Sequence, residues 1–213
     1  MVQIIPTTFS TTEEEYKMRL AKLAGSSFKE GWVQLDFMDG KFVPNNSIGL
    51  NVIKRNPPPY DMEAQLMVVD PQEWFEGLFD LKVKRIIFPI EIDKNINELI
   101  KMVKDRNIEV GLSVNPDTDV KNLDHYLSKL DAVLFMAVNP GLENQKFDTR
   151  TYEKIIYVKQ KEPRIIVGVD GGVNDVNIKD LVTAGLDYVA IGSFLFKGDF
   201  DENLERLWEA INV

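Results

Sequence analysis

WVQLDFM, residues 32–38, alternates along its length: Val33, Leu35 and Phe37 share one face, and Gln34, Asp36 and Met38 share the other. In a parallel barrel the apolar set packs outward on helices. The second set then points into the barrel, close to the C-terminal end of the strand, where barrel enzymes keep their chemistry. Asp36 is therefore read as an interior carboxylate rather than a surface charge. The same counting pairs Gln65 with Met67 on one face of a later run and places Asp170 at the end of another.

Outward from this stretch, apolar and β-branched runs recur through the chain. They are VQIIP (2–6), WVQLDFM (32–38), EAQLMVV (63–69), VKRIIFPI (83–90), IEVGLSV (108–114), AVLFMAV (132–138), RIIVGVD (164–170) and YVAIG (188–192). Between them lie patterns that repeat every three to four residues and read as helices. In the first, Thr11 and Glu14 have capping-box spacing, and Tyr16, Leu20, Leu23 and Ala24 form one apolar stripe. Regular strand–helix alternation without a long polar gap favours a parallel sheet. Eight such units in 213 residues suit a closed barrel better than a doubly wound open sheet. The expected fold is α/β, one (β/α)₈ TIM barrel forming a single domain over residues 1–213.

Hydrophobic residues make up 44% of the chain and charged residues 28%, an ordinary soluble composition. No apolar run approaches a membrane span, and MVQIIPTTFS has no charged leader before a long apolar core, so cytoplasmic residence is expected. With no cysteine and one histidine, disulfide, zinc-finger and Cys-nucleophile chemistries are excluded. The net charge of −9 argues against a nucleic-acid or anionic-membrane partner. A phosphate ligand remains compatible, because backbone N–H groups can hold one locally.

Five strings occur in order: LDFMDGKFVPN (35–45), QLMV (65–68), MAVNPG (136–141), VDGG (169–172) and IGSFLF (191–196). Together with PTTFS (6–10) and VGLSVNPDT (110–118), this series resembles the ribulose-phosphate 3-epimerase family, whose fold is the (β/α)₈ barrel. The resemblance implies an isomerase that inverts the carbon next to the ketone of a pentulose or hexulose phosphate. One aspartate removes a proton to give an enediolate, and a second returns a proton to the opposite face. The matching positions are Asp36 and Asp170. The family's methionines beside the intermediate match Met38, Met67 and Met136.

The family holds a divalent metal with those two aspartates and two histidines, and here the histidine positions carry Gln34 and Gln65. A third family histidine, in the fourth strand, is replaced by Pro89, while the adjoining Glu91 remains. His125, in KNLDHYLSKL, matches no family site and reads as an exposed helical residue. Imidazole is a good zinc or iron ligand, whereas a carboxamide oxygen is weaker and uncharged. No tightly bound zinc or iron is expected. Asp36 and Asp170 would give at most a weak magnesium or manganese site.

For the substrate's phosphate, the resemblance points to Gly171 and Gly172 after the seventh strand and to Gly192 and Ser193 after the eighth. Many barrels bind phosphate at these loops. Gly141 and Asn144 belong to the loop after the sixth strand, where Glu143 and Asn144 stand in place of family glycines. Ser10 matches a substrate-contacting serine, and its hydroxyl would serve equally as a cap for the first helix. Gln34 and Gln65 complete the expected substrate contacts. The leading reading is an epimerase acting on a small phosphorylated sugar, assembled as a dimer or higher oligomer. The alternative is a sugar-phosphate-binding barrel that has lost epimerisation. A related decarboxylase is disfavoured, because VVDPQEW (68–74) lacks the D-x-K-x-x-D of such enzymes.

Overall fold

The computed structural model describes residues 2–29, 31–141 and 145–212. Among them, eight parallel strands form one sheet: β1 (Gln3–Pro6), β2 (Trp32–Met38), β3 (Asp61–Met67), β4 (Arg85–Pro89), β5 (Glu109–Val114), β6 (Ala132–Met136), β7 (Ile166–Asp170) and β8 (Tyr188–Ile191). From β2 to β8 each strand pairs with its sequence neighbours, and β8 pairs with β1. Closure between β1 and β2 runs through a parallel bridge of Thr7 with Gln34. There the Thr8 N–H and hydroxyl donate to the Gln34 carbonyl at 2.9 and 3.0 Å. The result is a nearly closed (β/α)₈ barrel, as the alternating runs imply.

The helices are α1 (Glu13–Gly25), α2 (Leu50–Arg55), α3 (Gln72–Asp80), α4 (Ile96–Lys104), α5 (Arg150–Lys161), α6 (Ile178–Ala184), α7 (Ser193–Phe196) and α8 (Phe200–Asn212). Between β5 and β6 the chain makes two short 3₁₀ turns, Val120–His125 and Leu127–Lys129, instead of the helix that KNLDHYLSKL suggests. The cap of α1 falls one residue later than expected. Thr12 accepts from the Glu15 N–H at 3.2 Å, and Glu15 Oε2 takes the Thr11 N–H and hydroxyl. Thr–x–x–Glu spacing occurs twice in TTEEE, and the second copy wins because it leaves Tyr16 and Leu23 facing the core. Ala24, expected in the stripe, is exposed.

Strand parity works as anticipated. Val33, Leu35 and Phe37 are buried in the shell between sheet and helices, where the Phe37 ring lies 5.2 Å from that of Trp74 in α3. Burying each such side chain contributes roughly 1.5–3 kcal/mol. The barrel interior is a separate apolar plug of Ile5, Ile87, Leu134, Met136 and Tyr188. Towards the N-terminal ends of the strands this plug meets an ionic layer. Arg85 donates to Glu63 at 2.8 Å and to Glu109 at 2.8 Å, and its guanidinium stands over the Trp32 and Tyr188 rings. The plug and this layer fill the lower barrel, so open space is found at the other end.

Candidate active site

Four interior side chains from three strands meet at the C-terminal mouth. Gln34 Nε2 donates to Asp36 Oδ1 at 2.8 Å, to Gln65 Oε1 at 2.7 Å and to Asp170 Oδ2 at 3.3 Å. Register explains the meeting, because Asp36 of β2 is the partner of Gln65 on β3. Asp170 arrives from β7. Turning the Gln65 amide over would let its nitrogen donate to Asp170 at 2.9 Å and Asp36 at 3.0 Å. In either orientation a carboxamide nitrogen stands between the two carboxyl groups. Gln65 also contacts the Met136 sulfur at 3.0 Å.

Removal from water governs the charge state of this pair. Burial drives the Asp36 carboxyl well above the ordinary carboxylate range, the Asp170 charge adds to the rise, and the Gln34 hydrogen bond partly offsets it. Burial likewise raises Asp170, to about 7, against the opposing hydrogen bond from Gln34. Both shifts run in the same direction and favour keeping a proton within the pair.

A cavity opens directly above. Asp36, Asp170, Met38, Met67 and Met136 form its floor, and Gly141, Gly171, Gly172, Gly192 and Ser193 form its rim. Gln34 and Gln65 are fully buried behind the carboxyl groups rather than on the cavity surface. Two rim glycines are closely fitted by their neighbours. Gly171 has φ +101°, and a Cβ there would meet Val138 at 2.4 Å; a Cβ on Gly192 would meet the Thr7 hydroxyl at 2.5 Å. The loop after β7 is tied down by Asn177, whose amide donates to the Gly172 carbonyl at 3.0 Å. The Asn45 amide donates to the Gly141 carbonyl and joins the β2 and β6 loops.

Other expected positions fall elsewhere. The Ser10 hydroxyl is buried, donates to the Thr8 carbonyl at 3.1 Å and does not line the cavity; nor does it cap α1, which Thr12 does. Glu91 accepts from the Asn115 N–H and the Thr118 hydroxyl, bracing the β5 loop outside the central ring. His125 is exposed on its 3₁₀ turn. Asn144, like Glu143, lies outside the described residues. Sequence reasoning passed over Thr7, Phe9, Arg19 and Val173, all of which line the cavity. Of these, Arg19 carried no motif signal, since a cation on a helix's polar face is ordinary.

The model for the ribulose-phosphate 3 epimerase family matches residues 3–196. The ribulose-phosphate 3-epimerase of Helicobacter pylori is 35% identical over 189 residues, which span 84% of this chain and 86% of that one. The enzyme of that name from Aquifex aeolicus is 32% identical over 167 residues, 76% of this chain and 75% of its own. Among solved structures, 3-hexulose-6-phosphate synthase from Salmonella typhimurium superposes with a TM-score of 0.72, covering 99% of both chains at 16% identity. N-(5'-phosphoribosyl)anthranilate isomerase from Pyrococcus furiosus superposes at 0.64, covering all of both chains at 15% identity. At such identities the superpositions speak for the fold alone.

Proposed function

The chain belongs to the ribulose-phosphate 3-epimerase family, and from that premise we propose that it epimerises a ketose phosphate, pentulose or hexulose, with Asp36 and Asp170 as the two proton-transferring groups. One observation carries the reading: the two carboxyl groups reach the cavity floor from separate strands, β2 and β7, and are bridged by the Gln34 carboxamide. A flat enediolate between them presents one face to each. The ionised member removes the proton from the carbon beside the carbonyl, and the protonated member delivers its own to the other face. Proton exchange with solvent after product leaves returns the pair to its starting state for the next turnover. A carboxyl raised to about 7 is matched to both halves of this exchange at neutral pH.

Charge on the enediolate oxygen needs a partner. The family's metal supplies one when bound. The residues here do not fit it. Gln34 and Gln65 set neutral carboxamides beside the two carboxyl groups, with the Gln34 nitrogen donating to both, and among the described residues no group of three or more His, Cys, Asp or Glu side chains is placed to hold a metal ion. Tight zinc or iron binding is therefore not part of the reading; a magnesium or manganese contact at Asp36 and Asp170 would be weak. The Gln34 N–H groups are engaged by the two carboxyl groups and Gln65, so the amides act on the enediolate only through the charge state of Asp36 and Asp170. The methionine side chains keep the floor poor in water, which strengthens those hydrogen bonds. The phosphate of the substrate is assigned to the rim at Gly171, Gly172, Gly192 and Ser193.

The test is solvent exchange. Chelator-treated protein is incubated with ribulose 5-phosphate or a hexulose 6-phosphate in D₂O, and deuterium next to the carbonyl is followed with epimer formation. Wild type should incorporate deuterium and form the epimer. Asp36→Asn and Asp170→Asn should each abolish epimer formation. Tight sugar-phosphate binding with neither exchange nor epimer would make the protein a binding barrel and sink the catalytic reading.

A further inference from the structure

The rim holds a cation that the reading above does not use. Arg19 of α1 lines the same cavity as Gly192 and Ser193, and its guanidinium carbon stands 4.9 Å from the centre of the Phe196 ring. Phe196 closes the four-residue helix that Ser193 opens, so the arginine sits beside the β8 loop. The helix carrying it is fastened there. Lys22, one turn further along the same face, donates to the carbonyls of Phe196 and Gly198 at 3.0 and 2.5 Å.

Arg19 nonetheless makes no hydrogen bond or ion pair with another described residue. Its natural partner one turn earlier, Glu15, has Oε2 engaged by the N–H and hydroxyl of Thr11. Other surface arginines, such as Arg55, Arg106, Arg150 and Arg206, are paired with carboxylates. A half-buried guanidinium on a cavity wall, in a chain of net charge −9, has donors to spare where anions are otherwise repelled. Its positive charge reaches the floor as well, where it lowers the pKa of Asp36 against the larger effect of burial.

We propose that Arg19 is a substrate-binding residue that clasps the phosphate group of the ketose phosphate at the β8 side of the rim. This rests on the sugar-phosphate reading above and adds a side-chain contact to the backbone N–H groups of the two loops. The planar guanidinium offers parallel N–H donors to two phosphate oxygens, a geometry that lysine does not reproduce. Phe196 beneath the guanidinium limits its rotation, so less freedom is lost on binding.

Calorimetric titration with inorganic phosphate, followed by steady-state kinetics on the ketose phosphate, tests the assignment. Arg19→Met should weaken phosphate binding about tenfold or more. It should raise KM by a similar factor with kcat little changed, the pattern of a contact made equally in ground and transition states. Arg19→Lys should fall between the two. Lys17→Met, which removes an exposed cation from the same helix, should behave as wild type. Should Arg19→Met fail to fold, as a thermal melt would show, Arg19→Gln takes its place. Wild-type phosphate affinity in the Arg19 variants overturns the assignment and leaves the sugar-phosphate reading intact. A wild-type protein that binds neither phosphate nor ketose phosphate overturns both.

Discussion

A Cβ on Gly168 would lie 2.1 Å from Cζ of Tyr188, so the bare backbone of β7 is the wall against which that buried ring packs. The two residues are register partners on adjacent strands. The ring cannot retreat, because the Arg85 guanidinium stands 5.2 Å from its centre. Gly168→Ala should therefore destabilise by roughly 1–3 kcal/mol through overpacking. Tyr188→Leu should cost less in that background than in wild type. A double-mutant cycle from denaturant titrations measures the coupling, and strictly additive costs would show that the glycine and the ring are not matched.

Beneath this contact, Glu63 is fully buried and has Arg85 as its close counter-charge, at 2.8 Å. Burial pushes the Glu63 carboxyl up and the Arg85 charge pulls it back. Arg85→Met strands the carboxylate and should cost about 3–5 kcal/mol, whereas Glu63→Met with Arg85→Met removes both charges and should cost much less. Urea unfolding of the single and double variants compares them. Equal losses would mean that packing of the Arg85 stem, and not its charge, holds the lower barrel.

Much of this architecture was legible in the sequence. Strand positions followed from apolar runs, and the inward set of β2 from period-two alternation, because parity in a strand is rigid. The cap of α1 slipped by one residue because TTEEE offers two overlapping boxes and only tertiary burial chooses between them. The segment after β5 reads as a helix but turns as 3₁₀, a difference that side-chain periodicity over ten residues does not resolve. Ser10 was drawn to the site by its motif, yet its hydroxyl is satisfied by the Thr8 carbonyl. Arg19 was invisible for the opposite reason: its meaning comes from what fails to pair with it, and pairing is a property of the fold.

Gln34 and Gln65 bring neutral carboxamides to the two aspartates, so replacing both with imidazoles should create a metal site there. Gln34→His with Gln65→His brings two imidazoles beside Asp36 and Asp170, a nitrogen and oxygen set suited to zinc. Zinc affinity should rise by orders of magnitude over wild type, as measured by competition with a chromophoric chelator. Chelator-treated double variant should also gain thermal stability when zinc is returned, through selective binding to the folded state. Stoichiometric zinc in wild-type protein purified without chelators would contradict the fit argued for Gln34.

The shared proton gives the protein an unusual pH dependence. Asp170 has an ordinary pKa of 3.8 when unfolded and about 7 in the barrel, so between these values the folded state holds a proton that the unfolded state has released. The stability contributed by this carboxyl is complete below about pH 4 and declines as pH rises through about 7. This is opposite in sign to a salt-bridged aspartate, whose contribution is lost on acidification. A shift of this size corresponds to a few kcal/mol. Asp170→Asn is neutral at every pH and keeps the hydrogen bond from Gln34 within reach. It should therefore raise the Tm at pH 8 by several degrees, change it little at pH 4.5, and flatten the curve between them. Removing the Asp170 charge should also lower the Asp36 pKa, because that charge helps to raise it. Melting curves of wild type and variant from pH 4.5 to 8.5 decide the matter. A variant less stable than wild type at pH 8 would show that the Asp170 carboxylate is stabilised in the folded barrel, and the shared-proton account of the site would fall with it.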